Sequence, residues 1–254
     1  MTIRVGLMLF PEVDLLDVGG PYEILLTANR LAVRTGDEAP FEVVTFSVDG
    51  APVSAYGGLG LTPSHDVASV GDLDVVLVPG TIDLAPRLAD EEFLEAVRAV
   101  GERSGVVGSV CTGAFFLGAT GQLDGRPWTT HFEDVDDLAE MLGADGARRD
   151  IRWVDDGDVV TAGGLSSGID MALHLVARFV GRELAEATAC PAPPVNCPLP
   201  PESSRNCNHF SPVNEATSAR GQAARAVLLR ISESVDAPWG DGATFSTAAN
   251  AARR

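Results

Sequence analysis

The sequence predicts an α/β fold, a doubly wound, mostly parallel sheet with helices on both faces. Three observations support this prediction. Strand-like and helix-like segments alternate over residues 1–188. The run DVVLVPG, residues 74–80, is almost entirely apolar, as expected of a parallel strand covered on both sides. An Asp-Gly pair between two alternating runs in residues 151–163 predicts an antiparallel hairpin.

The individual elements follow from local signals in chain order. Pro21 suits the first position of a helix, so we expect the first helix to begin there, with Asp17 in the turn before it. Apolar spacing after a cluster of acidic residues predicts a helix over residues 90–102. The other predicted elements are strands at 3–10, 41–48, 74–80 and 105–110, the hairpin at 151–163, and helices at 112–120 and 168–180.

The composition changes after residue 188. Seven prolines fall within residues 190–212, so neither a helix nor a central strand can continue there. One amphipathic helix fits residues 215–235. We therefore expect a domain at 1–188 and a Pro-rich, largely disordered extension at 189–254.

The charge balance excludes some classes of function. There are 36 acidic residues against 18 arginines and no lysine, a net charge of −18. Such a surface repels phosphate backbones and anionic lipids, which argues against binding to nucleic acid or membranes. No apolar run reaches the roughly 20 residues that span a bilayer, and the N-terminus lacks a signal-peptide pattern. With one cysteine in the domain and three in the extension, the chain does not resemble a secreted disulfide scaffold, so we expect a cytoplasmic protein.

The stretch GVVGSVCTGAFFLG places Cys111 where a predicted strand meets a predicted helix. A side chain on such a corner projects into the crevice at the carboxyl edge of the sheet. The helix dipole favours a thiolate there and is expected to lower the pKa of the thiol. The N–H of Thr112 and one N–H at Gly80 or Thr81 are candidates for an anion hole. The ordinary alternative is that Cys111 is an inert core residue.

Two further stretches carry candidate acid–base groups. Asp17 follows the first predicted strand, and His131 follows Cys111 by twenty residues in TTHFED. Each has a simpler explanation, since an Asp before Gly-Gly-Pro can cap a helix and a lone His is commonly structural. Glycine-rich runs such as AGGLSSG, residues 162–168, lack the lysine of a phosphate-binding loop and are interpreted as turns.

Together, the stretches FPEVDLLDVGGPYEIL, VLVPG, VGSVCTGAFFLGATGQLDGRPWTTH and DGDVVTAGGLSSGIDMALHLV resemble the ThiJ/PfpI family of the class I glutamine amidotransferase-like superfamily. The resemblance covers residues 3–188 and is closest to isonitrile hydratases and to the ligand-sensing halves of AraC-type regulators. It implies a flavodoxin-like sandwich and a homodimer.

The resemblance also implies roles for individual residues. Cys111 matches the nucleophile, Asp17 the carboxylate against the sulfur, and Thr112 the elbow residue whose N–H faces the substrate. Gly80 matches the strand-end glycine of the anion hole. Gly113, a small residue that so sharp a turn needs, is a further candidate for substrate or oxyanion binding. His131 matches a histidine found in only some branches. Where many relatives have Pro-Gly-Gly, this chain has Thr81 in third place, whose side chain is expected to narrow the pocket.

Three functions follow from these residues. The leading one is hydration of an isonitrile to an N-substituted formamide, with Asp17 as acid, Cys111 as nucleophile and no cofactor or metal. The second is glyoxalase-like action on an aldehyde, although such enzymes usually carry Glu in the place of Asp17. The third is a ligand- or oxidant-sensing domain of a regulator, although the extension carries only 6 arginines and 5 acids and fits one helix.

The extension also holds three cysteines and a histidine. Their spacing matches no common zinc motif, and solvated coil is the default interpretation. These residues are Cys190, Cys197, Cys207 and His209.

Overall fold

The computed structural model describes residues 2–189, so the predicted extension and its cysteines lie outside the described residues. The strands are β1 (Ile3–Met8), β2 (Phe41–Ser47), β3 (Val53–Ser54), β4 (Gly60–Leu61), β5 (His65–Asp66), β6 (Leu73–Val78), β7 (Ser104–Val110), β8 (Trp153–Asp155) and β9 (Val159–Ala162). The helices are α1 (Leu15–Thr35), α2 (Ala85–Leu88), α3 (Glu91–Glu102), α4 (Gly113–Ala119), α5 (Val135–Leu142), α6 (Ser166–Phe179) and α7 (Arg182–Ala189).

Seven of these strands form one sheet in the order β5-β2-β1-β6-β7-β9-β8. All neighbours are parallel except β8, which runs antiparallel to β9 through the predicted Asp156-Gly157 hairpin. Strands β3 and β4 form a separate small ribbon. Helices α1, α6 and α7 pack together, as do the helices between β6 and β8, which gives the two helical layers of the predicted flavodoxin-like fold.

The core explains why the central strands contain so few polar residues. The β6 side chains Val75 to Val78 are buried almost completely because helices cover both faces. Next to them, the rings of Phe10, Phe93 and Phe116 meet edge to face, with centroids 4.9 to 5.7 Å apart. This aromatic cluster holds α3 and α4 against the end of β1 and so fixes the edge at which Cys111 lies.

The start of α1 differs from the prediction. The helix begins at Leu15, and its N-cap is Asp14, whose carboxylate accepts the Leu16 N–H at 3.4 Å. Pro21 lies inside the helix, so Asp17 belongs to the first turn instead of the preceding loop. The N-cap signal at Asp14 therefore outweighs the preference of Pro21 for a first helical position.

No helix within residues 2–189 is long and apolar enough to cross a membrane.

Candidate active site

The corner between β7 and α4 holds Cys111 in a conformation that few residues adopt. Its φ is +57°, in the left-handed region that costs energy for any residue with a Cβ. Its N–H donates to the carbonyl oxygens of Ala162 and Gly163, at 3.0 and 3.2 Å. Its own carbonyl accepts the Thr130 hydroxyl at 2.9 Å. These bonds hold the strained corner in place.

Gly113 allows the corner to approach the end of β6. A Cβ at this position would collide with the carbonyl oxygens of Val78 and Pro79. The close approach sets Thr112 against the loop after β6, where its hydroxyl donates to the Thr81 carbonyl at 2.8 Å and accepts the Thr81 N–H at 2.9 Å. The predicted sharp turn therefore has a steric reason.

Asp17 lies against the thiol although 94 positions separate the two in sequence. The Asp17 side chain is 1% exposed and Cys111 is 8% exposed, and the two groups lie close enough for each to shift the pKa of the other. The Gly80 N–H donates to Oδ2 of Asp17 at 3.1 Å, and the Leu165 N–H donates to Oδ1 at 3.3 Å. The structure thus brings together the acid and the sulfur that the sequence predicts as a pair.

Burial decides the protonation of this pair. Burial, together with the nearby Asp14 carboxylate, raises the pKa of Asp17 to about 7, as expected for a carboxyl that must hold a proton. Burial also raises the pKa of the Cys111 thiol, and the Asp17 carboxylate adds to this effect. A hydrogen bond from the Thr112 N–H lowers it, but by less. The predicted thiolate is therefore wrong, because desolvation outweighs the helix N-terminus.

The two raised pKa values have a joint consequence. Both groups hold their protons more tightly than usual, so the pair keeps an exchangeable proton at neutral pH. This proton lies between a nucleophile and a carboxyl group that can pass it on.

The second N–H expected in an anion hole, beside that of Thr112, was placed at Gly80 or Thr81, and both of these N–H groups are engaged within the protein. That of Gly80 donates to Asp17, and that of Thr81 donates to the Thr112 hydroxyl. The hydroxyl of Thr81 donates to the Glu12 carbonyl at 2.7 Å, so this side chain ties the loop after β6 to the segment before α1. A Cβ on Gly80 would lie 2.6 Å from the Thr112 hydroxyl and 3.0 Å from Asp17, so this position needs glycine for close packing.

Sequence reasoning missed the loop between β9 and α6. A Cβ on Gly164 would lie 3.1 Å from the Cys111 sulfur and 2.5 Å from Cδ2 of His131, so this glycine forms one wall of the site. Leu165, at φ +55°, supplies the second N–H to Asp17. The available signal was the Gly-Gly pair directly after a parallel strand, at the edge where Cys111 lies.

His131 is the third predicted group at this edge. Its ring contacts the same space beside Gly164 as the sulfur does, and its Nδ1 lies 3.1 Å from Oδ2 of Asp134. The hydrogen bond with Asp134 raises the pKa of His131 above its usual value, and burial only partly opposes this. Sequence reasoning did not single out Asp134.

Several exposed apolar side chains are sequence neighbours of the site residues. They are Leu15 and Leu16 beside Asp17, Ile82 after Thr81, Phe132 after His131, and Leu165.

A separate cavity of about 260 Å³, lined by residues that include Phe10 and Arg87, lies beyond the end of β1 and touches neither Cys111 nor Asp17. Within residues 2–189, no group of three or more His, Cys, Asp or Glu side chains is arranged to hold a metal ion.

Comparison with known proteins shows the family to which this domain belongs. The sequence profile of the DJ-1/PfpI family matches residues 3–178. The chain belongs to this family. It is 34% identical over 235 residues to the isonitrile hydratase of Pseudomonas putida, a match that covers 91% of this chain and 94% of that protein.

Two further comparisons extend the likeness within the family. A crystal structure of a ThiJ/PfpI family protein from Pseudomonas syringae superposes with a TM-score of 0.65 at 26% identity, over 77% of this chain and 78% of that one. The HTH-type transcriptional regulator GbdR of Pseudomonas aeruginosa is 30% identical over 185 residues, which cover 72% of this chain and 48% of the regulator. The chain thus spans about half the length of that regulator.

Proposed function

We propose that this DJ-1/PfpI protein hydrates isonitriles to N-substituted formamides, using Cys111 and Asp17 and no cofactor. The observation that carries the proposal is the buried thiol–carboxylate pair at a strained strand-to-helix corner. Similarity to an isonitrile hydratase over almost the full length of both chains supports the same reaction.

The chemistry of an isonitrile fits a thiol and a carboxyl that keep an exchangeable proton at neutral pH. The terminal carbon of R–N≡C carries a lone pair and becomes electrophilic only when it is protonated. In the first step Asp17 takes the thiol proton and passes it to this carbon, while the sulfur electron pair attacks the same carbon. The product is a thioimidate, R–N=CH–S–Cys111. The Thr112 N–H, which lowers the pKa of the thiol, favours negative charge on the sulfur during this step.

The second step returns the enzyme to its starting state. Water adds across the C=N bond, its oxygen to carbon and one proton to nitrogen. The C–S bond then breaks with its electron pair on sulfur, and the hydroxyl proton of the adduct returns through Asp17 to Cys111. The sum is one isonitrile and one water giving one formamide.

The surroundings suit a neutral substrate with an apolar substituent. Because R–N≡C is linear, a substrate whose carbon reaches the sulfur projects its substituent towards the mouth of the site. Leu16, Ile82, Phe132 and Leu165 are exposed beside the segments that form this site. We include in the proposal that the protein acts as a homodimer in the cytoplasm, where a reducing environment keeps the thiol free.

Formamide production tests the proposal. Purified protein is incubated with a simple alkyl isonitrile, and the formamide is followed by NMR; we expect catalytic turnover. Cys111→Ala should lower the rate by about a thousandfold or more, since the nucleophile is lost. Cys190→Ala, which removes a cysteine outside the described residues, is the matched control and should retain the rate. No turnover, or turnover that survives Cys111→Ala, would contradict the proposal.

Ligand sensing is the second candidate, because GbdR and other regulators share this domain. The raised pKa of Cys111 argues against a sensor of oxidants, since peroxides react with thiolates. A gel-shift assay with upstream DNA, alongside the hydration assay, separates the two functions. A parallel incubation with methylglyoxal tests the glyoxalase-like alternative.

A further inference from the structure

The turn from His131 to Asp134 is closed twice, once by backbone and once by side chains. The Asp134 N–H donates to the His131 carbonyl at 2.9 Å, and Nδ1 of His131 lies 3.1 Å from Oδ2 of Asp134. Their side chains are 20% and 31% exposed, so the pair is only partly screened by solvent. The imidazole therefore has a defined orientation.

Asp134 occupies a position where its side chain would ordinarily serve its own helix. It is the N-cap residue of α5, and aspartate there usually accepts an N–H of the first turn. The Asp134 side chain makes no such capping bond. Its carboxylate is directed to His131 instead, which is hard to explain if the residue serves only to start a helix.

The imidazole and the thiol share the space beside Gly164. Cδ2 of His131 and the sulfur of Cys111 lie 2.5 and 3.1 Å from the point where Gly164 would carry a Cβ. Nδ1 is held by Asp134, so Nε2, which is bonded to Cδ2, is the ring nitrogen left to meet a substrate. The Thr130 hydroxyl, bonded to the Cys111 carbonyl, keeps the His131 segment against the corner.

We propose that Asp134 is a positioning residue that holds His131 as the base for the attack of water on the Cys111 thioimidate. The inference rests on the proposed function and deepens it, because Asp17 has already passed its proton to carbon when water attacks. Nε2 of His131 takes a proton from water as the oxygen adds to the imidate carbon, and gives that proton to the substrate nitrogen. The adduct R–NH–CH(OH)–S–Cys111 results, and His131 is neutral again.

This assignment predicts how kcat depends on pH. The carboxylates of Asp134, Glu133 and Asp17 face His131, as does the Cys111 sulfur. Only neutral imidazole accepts the proton, so kcat falls as the pH drops through the pKa of His131. The hydrogen bond with Asp134 raises that pKa, so its loss moves the acidic limb of kcat to lower pH.

The test compares Asp134→Asn with Glu133→Gln across a pH series with an alkyl isonitrile. Asn remains a good N-cap, so the helix is retained. We expect Asp134→Asn to lower kcat by about tenfold to a hundredfold and to shift the acidic limb of kcat to lower pH. Its kcat/KM should stay within about twofold of the wild-type value. The thioimidate should also accumulate, visible by mass spectrometry as one substrate added to the protein. Glu133→Gln removes an exposed charge 4.0 Å from the same nitrogen and should stay near wild type.

The outcomes separate this inference from the proposed function. If wild-type protein forms formamide and Asp134→Asn keeps the wild-type acidic limb of kcat, the role of Asp134 is wrong and the proposed hydratase function stands. The same conclusion follows if Asp134→Asn loses kcat and kcat/KM equally and no thioimidate adduct accumulates. If wild-type protein forms neither formamide nor adduct, both proposals are wrong.

Discussion

The corner at Cys111 and the edge at β8 each hold an aspartate that accepts the N–H of a glycine, yet the two carboxylates titrate in opposite directions. Asp17 accepts the Gly80 N–H at 3.1 Å, and Asp155 accepts the Gly157 N–H at 2.9 Å. Burial raises the pKa of Asp17 to about 7. The pKa of Asp155 is lowered, although partial burial alone would raise it.

The difference lies in the neighbouring charges. Asp155 lies 2.6 Å from Nε2 of His174 and 3.1 Å from Nη1 of Arg178, which favour its ionised form. Within residues 2–189 no salt bridge reaches Asp17, and the nearby charge of Asp14 disfavours its ionised form. The backbone N–H groups lower the pKa of Asp17 by less than burial raises it. Without a salt-bridge partner to oppose burial, the pKa of Asp17 rises, whereas the paired cations lower that of Asp155.

The largest expected effect contrasts Asp17→Asn with Asp155→Asn. Asp17→Asn removes the group that moves the proton from sulfur to carbon, so kcat/KM for an isonitrile should fall by 10²- to 10⁴-fold, about the contribution of general acid–base catalysis. Asp155→Asn removes an ion-paired carboxylate remote from the thiol and should keep kcat/KM within about twofold. Steady-state kinetics on both variants checks this prediction. Similar losses of kcat/KM in the two variants would contradict a special role for Asp17.

The pH dependence of stability should also differ in sign. Asp17 has a raised folded-state pKa, so its contribution to stability is lost as the pH rises from the unfolded pKa of 3.8 to about 7. Asp155, with a lowered pKa, contributes stability above its unfolded pKa that is lost as the pH falls through its folded pKa.

Urea unfolding at several pH values measures this. The stability of wild type relative to Asp17→Asn should decrease by roughly 4 kcal/mol between pH 4 and pH 8. Relative to Asp155→Asn, it should instead increase with pH at the acidic end. If the stability difference changes with pH in the same direction for both comparisons, the pKa values of Asp17 and Asp155 are not shifted in opposite directions.

The smallest effect concerns the two glycines that donate to these carboxylates. A Cβ on Gly80 would meet the Thr112 N–H group and Asp17, whereas one on Gly157 would meet no atom within 4 Å. Gly80→Ala should therefore lose about 1–3 kcal/mol of stability and about tenfold in kcat/KM. Gly157→Ala should lose about 1 kcal/mol, because φ is +86°, with unchanged activity. Thermal unfolding and kinetics on both variants distinguish local crowding from backbone strain.

The parallel sheet and the corner could be predicted from the sequence because their signals are local. The apolar run of β6, the Asp-Gly hairpin and the small residues around Cys111 each constrain the backbone within a few residues. The start of α1 was misplaced because two local signals, Asp14 and Pro21, compete and the N-cap wins.

The electrostatics could not be predicted, because they depend on which groups the fold buries together. The pKa of Cys111 reflects burial against Asp17 more than the helix that follows it. Likewise, the N–H groups of Gly80 and Thr81 find acceptors on α1 and at the corner, far away in sequence. Asp134 has the sequence features of an ordinary N-cap, and only the structure shows its bond to His131.

A direct titration of the Asp17 carboxyl tests the central claim, that burial beside the Cys111 thiol raises the pKa of this carboxyl to about 7. Carbon-13 NMR of aspartate-labelled protein, with the resonance assigned by its absence in Asp17→Asn, gives the midpoint. The account predicts a midpoint near pH 7. A midpoint near pH 4, the value of an ordinary solvated aspartate, would contradict it.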